Sequence, residues 1–171
     1  MPQPQELTRF LNRLRQVREY TSAPVSEEVL RDIVEVGRQS GSGSNKQPWA
    51  VVVVRDRGLM QKMGEWGARP AANAAATFLI VMDENSSQLD EGRLAERLML
   101  GAAAHGLGAG IATLKNEGPD AIKPLLGIPT DKRTRTVVSV GHTDLPARKA
   151  LPKTPGGARK PVEEFARWDR F

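Results

Sequence analysis

Leu7, Phe10, Leu11 and Leu14 recur at helical spacing near the start of the chain, which predicts a helix over residues 6–14 with one apolar stripe. Arg15, Gln16, Val17, Arg18, Glu19 and Tyr20 follow, and Thr21, Ser22, Ala23 and Pro24 read as a turn. Ser26 is placed to cap a second helix, with Glu27 and Glu28 in its electropositive first turn. Val29, Leu30, Ile33, Val34 and Gly37 share one face of that helix, which ends near Gln39. Residues 50–54 form a continuous apolar run and predict a strand buried on both faces. Asp56, Arg57 and Gly58 turn the chain into a short helix lined by Leu59, Met60, Met63 and Trp66. Residues 68–76 are rich in alanine and carry little periodic signal. Residues 77–82 read as a second buried strand, closed by the polar residues 83–87.

A long helix is predicted from a cap at Asp90 to about His105, with Leu94, Leu98, Gly101, Ala102 and His105 on one face. Its small residues at 101–104 suit close approach to another helix. The glycines at 106, 108 and 110 end it, and residues 111–114 lead into a polar turn. Pro119 fits the first turn of a helix anchored by Ile122, Leu125 and Leu126. Residues 136–140 predict a third strand. The tail ends with Phe165, Trp168 and Phe171 in a short apolar stripe, read as core or dimer packing. Strands interleaved with helices predict a mixed α/β layered architecture, and the helix joining the second and third strands is long enough for a crossover.

Composition narrows the chemistry. The 171 residues are enough for one domain with a core, and with aromatics at 5% that core must rest on aliphatic residues and methionine. No cysteine is present, which excludes disulfides, thiolate metal sites and a cysteine nucleophile. Two histidines without paired spacing argue against a zinc enzyme. No apolar run is long enough to span a membrane, and the polar start MPQPQELTRF is not that of a signal peptide, so a cytoplasmic location is expected. Residues 146–171 hold seven Lys/Arg against three Asp/Glu, a net of +4 in a chain of net +5, which suggests an anionic partner. Nucleic acid is disfavoured as that partner, because stacking aromatics are not interleaved with the charges and no reader motif is visible.

The stretch SGSGSNKQPW, residues 40–49, is the least ordinary connection in the chain. It presents backbone N–H groups, hydroxyls and the carboxamides of Asn45 and Gln47, a set suited to a flat ring with donors and acceptors. It holds no GxxxxGK[ST], and it precedes the first strand where a dinucleotide fold would place its glycine-rich loop after it. Arg15 and Arg18, three apart at a predicted helix end, form a pair able to grip a phosphate or a polarised carbonyl. No acid/base pair stands out. A cofactor would therefore carry most of the chemistry, with the protein binding and orienting it.

At this point the chain resembles the FMN-dependent nitroreductase family. The resemblance rests on RQVREYTSAPVSEEVLRDIVEVGRQSGSGSNKQPW, with its R-x-x-R element and N-x-Q-P-W loop. GLGAGIATL, LLGIP, VVSVGH and ARKPVEEF then follow in the order that the family shows. It implies an α+β fold over residues 1–171 as a single domain, with a mixed, mainly antiparallel central sheet flanked by helices, in an intertwined homodimer. It also implies two FMN sites at the subunit interface and a basic extension, residues 146–171, set against the partner subunit. Arg15 and Arg18 match the element that contacts FMN, with Arg18 at the pyrimidine edge as the flavin-tuning catalytic residue. Ser42, Ser44, Asn45 and Gln47 match the loop that reaches the partner's flavin. Thr113 and Leu114 match the segment whose backbone lies near flavin N5, and Arg159 with Lys160 matches the C-terminal phosphate contact. The implied activity is a ping-pong cycle in which NADH or NADPH delivers a hydride and a small acceptor, such as a nitroaromatic or a quinone, removes it.

The chain departs from the family pattern at four places. Leu14 and Gln16 stand where an arginine and a serine are common, Gly157 where a lysine is common, and Gly41 where a proline is common. The first three deplete the implied phosphate grip. They motivate an alternative reading, a degenerate member that binds flavin or another nucleotide and acts by interaction.

Overall fold

The computed structural model describes residues 3–150 and 159–171. Its strands β1 (Trp49–Val54), β2 (Ala76–Asp83), β3 (Gly108–Thr113) and β4 (Lys132–Gly141) form a sheet of order β1-β2-β4-β3. Every neighbouring pair is antiparallel. β2 takes the centre because it is apolar on both faces. Phe78, Ile80 and Met82 turn to one layer, and Leu79 and Val81 to the other. The first layer is α2 (Glu27–Arg38) with α4 (Gln88–Ala104). The second is α3 (Arg57–Glu65), a 3-10 turn at Arg69–Asn73 and α5 (Gly118–Leu126).

α4 carries the chain from β2 to β3, with β4 in the slot between them, so the crossover leads to residues 108–113 and not to the strand expected at 136–140, which lies antiparallel beside β2. Its small residues serve the contact with α2. A Cβ on Gly101 would lie 3.2 Å from Val36 Cβ, and one on Gly37 would lie 2.6 Å from Leu98 Cδ2. His105 stands at the C-terminal end of α4, where its Nε2 lies 2.7 Å from Asp32 Oδ2 of α2. It fastens two helices.

Several expectations need correction. Ser87, not Asp90, caps α4, its Oγ accepting from the Leu89 N–H at 3.1 Å. β1 is not buried on both faces, because it lies at an edge of the sheet and Val53 is 38% exposed. The glycines at 108 and 110 do not merely end a helix; they belong to β3. The stripe of α1 (Pro4–Arg13) covers no core of its own chain, since Leu7, Phe10 and Leu11 are 49%, 36% and 45% exposed. Nor are Phe165, Trp168 and Phe171 core residues: they are 83%, 82% and 111% exposed. Among the described residues no helix is long and apolar enough to cross a membrane. Gly157 lies outside the described residues.

Candidate functional site

α1 ends at Arg13, and Leu14 already has the extended angles φ −60° and ψ 134°. Arg15 and Arg18 therefore lie in an extended segment beyond the helix, not at its end. That segment is docked on β3. The Val17 N–H donates to Ala109 O at 2.8 Å, and Val17 is buried. The docking requires glycine: a Cβ on Gly110 would lie 2.3 Å from Val17 O, and one on Gly108 would lie 2.7 Å from Val17 Cγ1. This is the physical reason for the glycine run, and it explains why β3 carries so weak a strand signal.

The far end of the segment is fastened too. The single Tyr20 O–H is shared between two carbonyl acceptors, Val17 O at 2.6 Å and Ser139 O at 3.0 Å. Burial pushes the Tyr20 pKa well above the ordinary tyrosine value, so the hydroxyl remains a donor. The Thr21 N–H donates to His142 O at 2.9 Å, and the Asp144 N–H to Glu19 O at 3.0 Å. These bonds tie the short helix α6 (Leu145–Ala150) to the arginine-bearing segment.

Two cavities open on either side of Arg18. One, of about 650 Å³, is bordered by Arg18, Tyr20, Arg69, Thr113, Lys115 and Asp144 among others. The other, of about 610 Å³, gathers Arg13, Arg15, Arg18, Arg148 and Arg159, with Glu96 as the carboxylate on its wall. Both volumes are ordinary for ligand sites. Arg18 is held by Gln16, whose Oε1 accepts from Arg18 Nη2 at 3.2 Å. Gln16 thus orients an arginine from the position where a serine was expected. Arg15 Nη1 folds back on Asn12 O and Leu14 O, at 2.8 and 2.7 Å, and satisfies carbonyls at the end of α1.

The loop of residues 40–49 is built differently. Ser44, Asn45 and Gln47 hold φ values of 51°, 52° and 49°, in the left-handed region. Such angles cost about 1 kcal/mol or more in non-glycine residues, and asparagine tolerates them best. Local bonds offset the cost. Ser42 Oγ accepts from the Gln47 N–H at 2.8 Å, and Gln47 Nε2 donates to Asn45 O at 3.3 Å. The loop's root rests on α4, where Asp90 Oδ2 accepts from the Gly43 N–H at 3.2 Å. The Arg93 guanidinium lies over Gly41, in the space that a side chain there would enter. The tip is exposed: Ser44, Asn45 and Gln47 project from the surface, and none of them borders either arginine-bearing cavity.

Thr113 ends β3 and borders the first cavity, whereas the Leu114 side chain is buried in the core. The Leu114 N–H donates to Arg135 O at 2.8 Å, which leaves its carbonyl as the polar backbone group not engaged by that bond. Arg159 borders the second cavity, and Lys160 is exposed beside it in sequence. Sequence reasoning missed Arg13, Arg148, Arg69, Lys115 and Asp90. None belongs to a motif; Arg13 is two residues before Arg15 in sequence, and the fold brings Arg148 and Arg159 to both. The concentration of charge in the tail was the one signal that bore on Arg148.

The model of the nitroreductase family matches residues 13–86, from the last residue of α1 to the end of β2 and the turn after it. A protein of Archaeoglobus fulgidus whose name joins NADH dehydrogenase and NAD(P)H nitroreductase is 29% identical over 150 residues. That match covers 81% of this chain and 86% of the relative. The FMN reductase [NAD(P)H] of Bacillus subtilis is 25% identical over 193 residues, covering 97% of this chain and 77% of the relative. Among solved structures, an FMN-dependent nitroreductase from Clostridium difficile superposes with a TM-score of 0.75 at 21% identity, covering 95% of this chain and 98% of its own.

Proposed function

We propose that the chain is a member of the nitroreductase family, which its family-model match and its relatives support, and that it is an FMN-dependent oxidoreductase. It takes a hydride from NADH or NADPH and reduces nitroaromatics, quinones or similar small acceptors. The observation that carries this reading is the pair of cavities flanking Arg18. The donors present fit FMN, with guanidiniums on one side for a phosphate and a half-polar hollow on the other for a flat ring. The chemistry that bound FMN supplies is acceptance of a hydride from the nicotinamide and its return to the acceptor. Arg18, oriented by Gln16, would hold the pyrimidine edge of bound FMN and offer a positive charge to it. Thr113 borders the first cavity and, with the Leu114 backbone that follows it, would form a wall for the bound ring.

We assign the other wall to a second copy of the chain. Ser42, Ser44, Asn45 and Gln47 are preformed by their own loop bonds yet stand apart from their own chain's cavities. The exposed stripe of α1 and the aromatic tail supply apolar surface for a homodimer. Residues 1–171 act as one unit in this reading, the basic extension from residue 146 lies against the partner, and the enzyme works in the cytoplasm. The strained φ angles at three loop residues support a functional loop.

Purification tests the proposal. A yellow dimer whose flavin band bleaches with NADH or NADPH is expected, and Arg18→Ala should slow flavin reduction while leaving the unfolding midpoint nearly unchanged. A colourless monomer that fails to bind FMN at tens of micromolar would sink the enzyme reading and favour the degenerate, non-redox alternative.

A further inference from the structure

The sequence lacks three groups that the implied phosphate grip would use, at Leu14, Gln16 and Gly157. The structure further shows Arg15 committed to the carbonyls of Asn12 and Leu14. A dianionic phosphate would then meet too few free cations if these positions were the whole site. Instead, the cavity that Arg15 and Arg18 border also receives Arg13, Arg148 and Arg159. Glu96 is the one carboxylate on that wall. Among the described residues none of the five arginines enters an ion pair, although eight charged contacts join other groups of the chain. Cations gathered around a concave surface without acidic partners raise the local concentration of anions.

Both added arginines are placed by structure. Arg13 is the last residue of α1, where a cation suits the negative end of the helix dipole. Arg148 lies on α6, which the bonds from Asp144 N–H to Glu19 O and from Thr21 N–H to His142 O fasten to the segment bearing Arg18. The Ala147 N–H also donates to Asp144 Oδ1 at 2.9 Å, which fixes the first turn of α6. Arg148 is therefore held in register with Arg18.

We propose that Arg13 and Arg148, with Arg159, bind the phosphate of FMN and replace the groups missing at Leu14, Gln16 and Gly157. The proposal rests on the flavin reading above; Arg159 was expected from the family element, whereas Arg13 and Arg148 come from neither the sequence motifs nor that element. Guanidinium–phosphate contacts are charge-assisted and suited to a two-oxygen grip.

Riboflavin, which has the same ring and ribityl chain without the phosphate, separates this grip from every other contact. Apo-protein in its full-length form is titrated with FMN and with riboflavin, following quenching of flavin fluorescence. Wild type should bind FMN more tightly than riboflavin, and inorganic phosphate should compete with FMN alone. Arg148→Ala and Arg13→Ala should each weaken FMN by about tenfold or more while moving riboflavin by less than about twofold. Arg148→Lys should recover part of the loss. Equal weakening of both flavins would assign these arginines to ring contacts or to folding and overturn the proposal, as would unchanged FMN affinity in both variants. A wild type that binds both flavins equally overturns this inference and leaves the flavin enzyme standing. A wild type that binds neither overturns both.

Discussion

The two polar stretches that the sequence singles out, residues 14–20 and residues 40–49, are held by opposite means. The first is clamped along its length: Val17 to Ala109, Tyr20 to Ser139, Glu19 to Asp144 and Thr21 to His142. It borders two cavities of its own chain. The second is held at its root, by Asp90, and shapes its tip with bonds inside itself. A segment clamped by its own chain builds a site there. A loop stiffened by itself and presented outward builds a site elsewhere. Under the proposed dimer each chain would carry half of a site, and the two stretches are secured independently.

Independence is the claim to break, and the root of the loop is the place to strike hardest. Next to Asp90, Glu91 is 5% exposed and bonded to Arg133 of β4, while its other oxygen has no partner among the described residues. Arg133→Ala would leave a buried carboxylate uncompensated, at a cost of about 3–5 kcal/mol. Urea unfolding should show that loss, and the double variant Glu91→Met/Arg133→Met should regain most of it. A loss below about 1 kcal/mol would mean that Glu91 is not effectively buried. Before global unfolding, the loop root should loosen while residues 14–20 stay protected from hydrogen exchange.

Gly110→Ala attacks the other region. The new Cβ meets the Val17 backbone oxygen, which cannot swing away as a side-chain end can. Overpacking of this kind costs about 1–3 kcal/mol. Trypsin should then cut at Arg15 and Arg18 well before it does in wild type, with the loop of residues 40–49 unaffected. Equal protease resistance in the two proteins would show that the segment does not depend on the glycine run.

Much of this architecture was legible beforehand, and what was hidden has physical causes. Helix α2 and strand β2 announced themselves because their apolar periods match their environments. β3 did not, because its glycines at 108 and 110 answer Val17, far away in sequence, rather than a local propensity. The stripe of α1 read as a buried face because sequence shows that a face is apolar, not what covers it. Ser42, Ser44, Asn45 and Gln47 were found as a motif, yet the left-handed angles of the last three and the bond from Gly43 to Asp90 were not in the pattern. Arg148 was invisible as a site residue because only the docking of α6 brings it to the cavity, and Arg13 because it falls outside the R-x-x-R element.

Asp90→Ala offers a milder way to sharpen the comparison. It removes the acceptor for the Gly43 N–H and should cost about 1 kcal/mol of stability. Flavin binding should weaken with it, because the misplaced loop belongs to the other half-site. Asp90→Asn keeps an acceptor oxygen and should restore affinity, whereas a bulk effect on folding would not distinguish the two substitutions. Identical flavin affinities for Asp90→Ala and wild type would detach the loop root from the site.

The smallest effect is expected from Tyr20→Phe, which removes one atom and adds none. The backbone bonds at Val17, Glu19 and Thr21 remain, so the loss should be about 0.5–1.5 kcal/mol. Tyr20 is the single tyrosine of the chain, and phenolate absorbance therefore reports on it alone. Burial raises its folded pKa above the ordinary 10.0, with the Glu19 charge adding to the shift and Arg18 opposing it. A raised folded pKa favours the neutral form, so its contribution is fully present below the unfolded pKa and is lost as pH climbs towards the folded one. The stability gap between wild type and Tyr20→Phe should thus shrink above about pH 10. No phenolate band should emerge there while the protein stays folded. A band rising at ordinary tyrosine pH in the folded protein would show the hydroxyl open to water, and the clamp on the arginine segment would then rest on the backbone alone.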